Sequence, residues 1–218
     1  MRLLYVCSDW GIPPDGTKGA AIHLRAITRA LADLGHDVTL LSPKGAPSNG
    51  HPARALLSES CDIAEDAARM LRNWLGERDL PPGIGREIRP LLFNPWALER
   101  AVRELRENPP AAIVERLSLF GHLGLDLAEA LNIPLIVEVN APLTDEASNF
   151  RSLQLQGLAA EIERRVLQRA DRIAVVSQQL ADRLVADGVS NEKIDVIPNG
   201  VDANEFVALE PRGSVRRR

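Results

Sequence analysis

Short apolar runs recur along the chain, and most are followed by a stretch with helical spacing. Residues 2–8 (RLLYVCS) carry no polar alternation, the mark of a strand buried on both faces. A Gly- and Pro-rich loop, DWGIPPDGTKG, follows. AAIHLRAITRALADLG then has apolar residues at Ile22, Ile27, Leu31 and Leu34, near helical spacing, and ends on Gly35 as a C-cap. DVTLLS, from Asp37, is a second strand. Strand, loop, helix, strand is a βαβ unit that opens a parallel sheet.

Residues 43–90 are the least readable, with one or two helices expected in LLSESCDIAEDAARMLRNWLGERD. NPWALERAVRELREN predicts a helix with Pro95 in its first turn. The alternation then resumes: strand 111–115, helix 120–131, strand 133–139, one long amphipathic helix 146–169, strand 171–177, a helix ending at Gly188, and strand 193–198. The pattern predicts an α/β chain with a doubly wound, mostly parallel, Rossmann-like sheet of six or seven strands. Helices on both faces make three layers, α/β/α.

The 218 residues, 45% apolar and 26% charged, suit one full-cored domain. A formal charge of −4 without a basic face argues against nucleic acid, and the arginines of the terminal RGSVRRR read as a solvated end. Cys7 and Cys61 are far apart and fit no zinc spacing, so no metal is expected. The apolar run before Asp9 is too short for a signal peptide or a membrane span, and the reading is a reducing, cytoplasmic compartment.

In such sheets ligands bind beyond the carboxyl ends of the strands. Those ends lead into DWGIPPDGTKG, SPKGAP, ERLSLFGH, VNAPLTDE, SQQ and NGVD. A dinucleotide-binding dehydrogenase needs G-x-G-x-x-G after the first strand and an acid near the end of the second. Gly11, Gly16 and Gly19 have the wrong spacing and TLLSPKG has no acid, so that class is excluded. DGTKGAAIH still leads into a helix N-terminus, where free amides can face an anion, or is a plain flexible connection. The helix-end field is worth about 0.3–1 kcal/mol, whereas micromolar binding needs about 8 kcal/mol. Other surfaces must therefore contribute to holding any nucleotide.

GTKGAAIHLRAITRALADLGHDVTLLSP resembles the opening of the N-terminal domain of GT-B glycosyltransferases, in particular the large retaining group called family 4. ADRIAVVSQQLADRLVADGVSNEKIDVIPNGVDANEF resembles the passage that leads out of that domain, and VERLSLFGHLG and LIVEVNAP fit between them. The likeness runs from Met1 to about Phe206. It implies that residues 1–206 are the Rossmann-like, acceptor-side N-terminal domain. Residues 207–218 are then a tail that would enter a C-terminal, donor-binding domain absent from this sequence. Asn199-Gly200 suits the tight bend at that exit, with Asp202 as a cap for the next element.

The resemblance implies the acceptor-binding half of a retaining glycosyltransferase of hexosyl type. It would move a sugar from a nucleotide-sugar to an unknown hydroxyl and be inactive alone. No cofactor is implied, since the nucleotide-sugar is a substrate. Gly16, Lys18 and Gly19 match the loop that touches the donor phosphates. His23, Glu115, Arg116, Glu138 and Glu146 are the acceptor-binding candidates. Many relatives carry a histidine after the strand matching LIVEVNAP; Asn140 stands there, the catalytic candidate, able to hydrogen-bond but not to act as a base near neutral pH. Glutamate pairs with seven residues between them, such as Glu99/Glu107 and Glu138/Glu146, lack the family setting and read as coincidence. Alternatives are a non-catalytic remnant or partner-binding module, one chain of a split glycosyltransferase, or a GT-B epimerase, whose acid-rich loops are not evident. The partners left open are a homodimer, a complementing chain and a membrane surface, the last without a long basic amphipathic helix to argue for it.

Overall fold

The computed structural model describes residues 1–201. Asp202, Phe206 and the tail 207–218 lie outside the described residues. The strands are β1 (Arg2–Cys7), β2 (Asp37–Leu41), β3 (Arg54–Ala55), β4 (Ala112–Arg116), β5 (Leu135–Val139), β6 (Arg172–Val175) and β7 (Ile194–Val196). The helices are α1 (Gly19–Asp33), α2 (Asp62–Gly76), α3 (Ile84–Leu105), α4 (Leu123–Leu131), α5 (Leu143–Phe150), α6 (Gln156–Arg169) and α7 (Gln178–Ala186). The strands form one all-parallel sheet in the order β3-β2-β1-β4-β5-β6-β7. The chain steps one way from β1 to β2 and the other way from β4 onward. The switch point of this doubly wound Rossmann-like sheet therefore lies between β1 and β4.

The two faces are covered unequally. One carries Tyr5, Cys7 and Leu40 beneath Ala21 and Leu24 of α1. The other carries Leu4, Val6, Ile113, Val137 and Ile173 beneath residues of α2, α3, α4, α6 and α7, such as Ala64, Phe93, Leu127, Val166 and Leu184. Burying strand residues on both faces explains the apolar run of β1 and the largely apolar β5, broken only by Glu138.

Four local expectations are corrected. Helix α1 buries Ala21, Leu24 and Thr28, while Ile22 and Leu34 face solvent; the Thr28 hydroxyl is satisfied by the Leu24 carbonyl at 2.8 Å, so a polar residue can sit inside the seam. Helix α3 begins eleven residues before Pro95 and contains both Pro90 and Pro95, because packing against α2 and α4 outweighs the two missing amide donors. Phe120 does not start a helix: its φ of +63° makes a turn, and Asn94 Nδ2, from buried Asn94 in α3, donates to its carbonyl at 2.8 Å. The long helix 146–169 is two helices, α5 and α6, separated at Ser152 with φ +52°. Glu87 holds that break by accepting the N–H groups of Gln154 and Leu155 at 2.9 and 2.8 Å. The two-residue edge strand β3 had no sequence signal.

Candidate functional site

Register builds the centre of the site. Cys7, Arg116, Glu138 and Ala174 are neighbours across β1, β4, β5 and β6, so their side chains share the α1 face at the carboxyl ends of the strands. Tyr5, two residues before Cys7, points the same way. Glu138 is the hub. Its Oε1 lies 2.6 Å from His23 Nε2 in α1, 2.6 Å from Asn140 Nδ2 and 3.2 Å from an Arg116 guanidinium nitrogen, and Tyr5 OH donates to Oε2. Burial pushes the Glu138 carboxyl up, but the hydrogen bonds from His23, Tyr5 and Asn140 outweigh it and hold it at about 2. An ionised carboxylate only accepts, so His23 donates from Nε2. Burial, with the Glu138 charge beside it, raises the Tyr5 phenol well above its ordinary value.

Glu115 and Arg116, adjacent in β4, point to opposite faces. Glu115 is 1% exposed and accepts the N–H of Gly124, at the start of α4, at 3.0 Å; its Oε2 has no partner. Burial pushes its carboxyl up to about 7, against the pull of the Gly124 hydrogen bond. The structure therefore directs Glu115 into the α4 side and away from the cluster that holds Arg116. Glu146, in α5, is also apart from that cluster and pairs with Arg151 at 2.9 Å.

The glycine loop lies at the start of α1. Gly16 is tightly packed: a Cβ there would meet Ala21 Cβ and Pro13 Cγ, each at 3.0 Å. Its carbonyl accepts from Arg25 at 2.7 Å. Gly19 is open, with nothing within 4 Å of such a Cβ. Lys18 is the exposed N-cap, and its carbonyl receives the N–H groups of Ala21 and Ile22. The free helix-end amides are thus those nearest Gly19.

A cavity of about 570 Å³ opens on the other side of the switch point, between the loop after β1, the first half of α3 and the α5–α6 break. None of the residues proposed from sequence lines it. Its walls include Ser8, Trp10, Arg86, Arg89, Phe120 and Arg151. Trp10 is fixed edge-on to Phe93 at 6.3 Å, with Lys44 and Arg89 over its ring at 4.9 and 5.2 Å. Asp9 and Trp10 belong to DWGIPPDGTKG and Leu119 and Phe120 to ERLSLFGH, two of the strand-end loops, whereas the α3 arginines sat in the segment with no clear pattern. Among the described residues, no cluster of three His, Cys, Asp or Glu is placed to hold a metal. No described helix is long and apolar enough to cross a membrane. Cys7 and Cys61 are both free and buried.

Comparison with known proteins fits this geometry. Residues 17–205 match the family model described as Glycosyltransferase Family 4. A glycogen synthase from Mycobacterium tuberculosis is 26% identical over 221 residues, covering 97% of this chain and 51% of that protein. A sucrose-phosphate synthase structure from Thermosynechococcus elongatus aligns with a TM-score of 0.63 at 16% identity, over 93% of this chain and 49% of that one. An Anabaena protein solved with UDP-glucose aligns with a TM-score of 0.57 at 14% identity, over 94% of this chain and 45% of that one. The chain spans about half the length of these relatives, and its sheet matches the N-terminal half of the GT-B fold. By its sequence match and by its sheet, this chain belongs to glycosyltransferase family 4.

Proposed function

We propose that this domain is the acceptor-binding half of a retaining glycosyltransferase. It moves a sugar, of hexose type, from a nucleotide-sugar to a hydroxyl acceptor. The observation that carries the reading is the meeting of two features at one switch point. Open amides beside Gly19 and Lys18 lie at the start of α1, a cavity large enough for an acceptor lies beside the loop after β1, and the Glu138 cluster stands at the carboxyl ends of β4 and β5 beneath α1. The amides and Lys18 contact the donor phosphates. Asn140, pinned to Glu138, positions the reacting sugar by hydrogen bonding. Arg116 and His23, held by the same carboxylate, complete that wall.

A helix end and one lysine supply too little energy to hold a nucleotide-sugar alone. A second domain or a complementing chain therefore binds the nucleoside and most of the diphosphate, and closure between the halves excludes water. The length of the relatives supports this division. No dissociable cofactor enters the reaction. The two buried free thiols favour a reducing, cytoplasmic setting.

The test has two arms. Isothermal titration of this chain with UDP- and GDP-hexoses is expected to show no binding tighter than millimolar. Mixing it with a separately produced donor-side domain is expected to restore release of nucleoside diphosphate in the presence of acceptor. Micromolar binding of a nucleotide-sugar by this chain alone overturns the division of labour.

A further inference from the structure

We infer that the cavity between the loop after β1, helix α3 and the α5–α6 break takes an acceptor that carries an anionic group, a phosphate or a carboxylate. This rests on the acceptor-side reading above and specifies the class of acceptor. The cavity wall carries donors that lack acceptors. The Ser8 hydroxyl is fully buried and has no hydrogen-bond partner. Trp10 Nε1 and Arg89 Nε are also buried without partners, and all three residues line the cavity.

Three of the four carboxylate oxygens of the same wall are already engaged. Both Glu87 oxygens accept backbone N–H groups, from Gln154 and Leu155, and Asp9 Oδ1 accepts the N–H of Gly11 at 2.7 Å. Three arginines, Arg86, Arg89 and Arg151, face two carboxylates, Asp9 and Glu87. Arg86 is exposed and has no ion pair among the described residues, Arg89 reaches Glu65 only at 3.4 Å, and Arg151 pairs with Glu146, which is outside the cavity lining, at 2.9 Å. A wall with more cationic and unpartnered donor groups than free acceptors is the complement of oxygens that only accept. Arginine forks bind such oxygens in pairs. A neutral sugar can fill such a wall with hydroxyl oxygens but brings no charge to meet the arginines. The volume suits a molecule of monosaccharide size.

The probes are glucose, glucose 6-phosphate, glucuronate and inorganic phosphate. The readout is the indole ¹H–¹⁵N resonance of Trp10, assigned through Trp10→Phe and compared with those of Trp74 and Trp96. Glucose 6-phosphate and glucuronate are expected to shift the Trp10 signal alone, with at least ten-fold tighter binding than glucose. Arg86→Gln and Arg89→Gln are each expected to weaken the anionic sugars by about ten-fold and leave glucose unchanged. If Arg89→Gln does not fold, the exposed Arg86→Gln carries the test. Equal binding of glucose and the anionic sugars overturns the inference. So does inorganic phosphate binding as tightly as glucose 6-phosphate, which marks a bare anion site. Transfer to neutral acceptors with no anion binding overturns the inference and keeps the proposed function. Anionic sugars held at Trp10 without transfer in the complemented assay do the reverse.

Discussion

Glu87 in α3 and Leu155 at the start of α6 are 68 positions apart, yet the Glu87 carboxylate accepts the Leu155 N–H at 2.8 Å and that of Gln154 at 2.9 Å. The two bonds cap the first turn of α6 from another helix and fix one wall of the cavity. Glu87→Gln keeps the shape but leaves one of the two N–H groups unpaired. The expected loss is about 1–3 kcal/mol. It is read as a fall in melting temperature of about 2–4 °C per kcal/mol for a domain of this size. Unchanged stability would show that the clip contributes nothing.

Glu138 gives a prediction with a pH signature. Its carboxyl is depressed from 4.5 to about 2. A group lowered in this way stabilises the fold fully above about pH 4.5, and that stabilisation is lost as pH falls through about 2. Glu138→Gln removes up to about 3 kcal/mol at pH 7. The gap to the native protein narrows as pH drops from 5 toward 2. Urea midpoints at pH 7, 5 and 3 measure it, and a gap that stays constant contradicts the assignment.

Glu115 behaves in the opposite sense. Its carboxyl is raised from 4.5 to about 7. A raised group favours the folded state below about pH 4.5, and that contribution is lost as pH rises through about 7. Glu115→Gln, which needs no ionisation, is therefore expected to gain stability relative to the native protein at pH 8 over what it shows at pH 5. Denaturant midpoints at those two pH values decide it. A difference that does not change with pH counts against a buried titrating carboxyl.

Gly124 tests the close approach of α4 to β4. A Cβ at this position would lie 2.6 Å from Glu115 Oε2 and 2.8 Å from Glu115 Cβ. The second atom belongs to a strand and cannot swing away. Gly124→Ala is expected to cost about 1–3 kcal/mol through overpacking, and Glu115→Ala in the same chain reduces that cost without removing it. Calorimetry of the two single variants and the double variant resolves the coupling. Full additivity would mean the two residues do not press on each other.

The sequence by itself determined the sheet. Apolar runs alternating with helical segments are a local signal, and β1, β2, β4, β5, β6 and β7 fall on them. The family signature was legible for the same reason, since the glycine loop and the IPNGVD passage are contiguous. Tertiary structure decided what contiguity could not carry. Helix α3 runs through two prolines because its neighbours hold it, and α5 parts from α6 because a distant glutamate captures two amides. Glu115 and Arg116, read together from sequence, are separated by the pleat, which sends adjacent side chains to opposite faces. The cluster of Tyr5, His23, Arg116, Glu138 and Asn140 comes from four separate elements and the loop after β5. The Trp10 cavity draws on segments up to about 140 residues apart, so its walls follow from packing and not from any pattern along the chain.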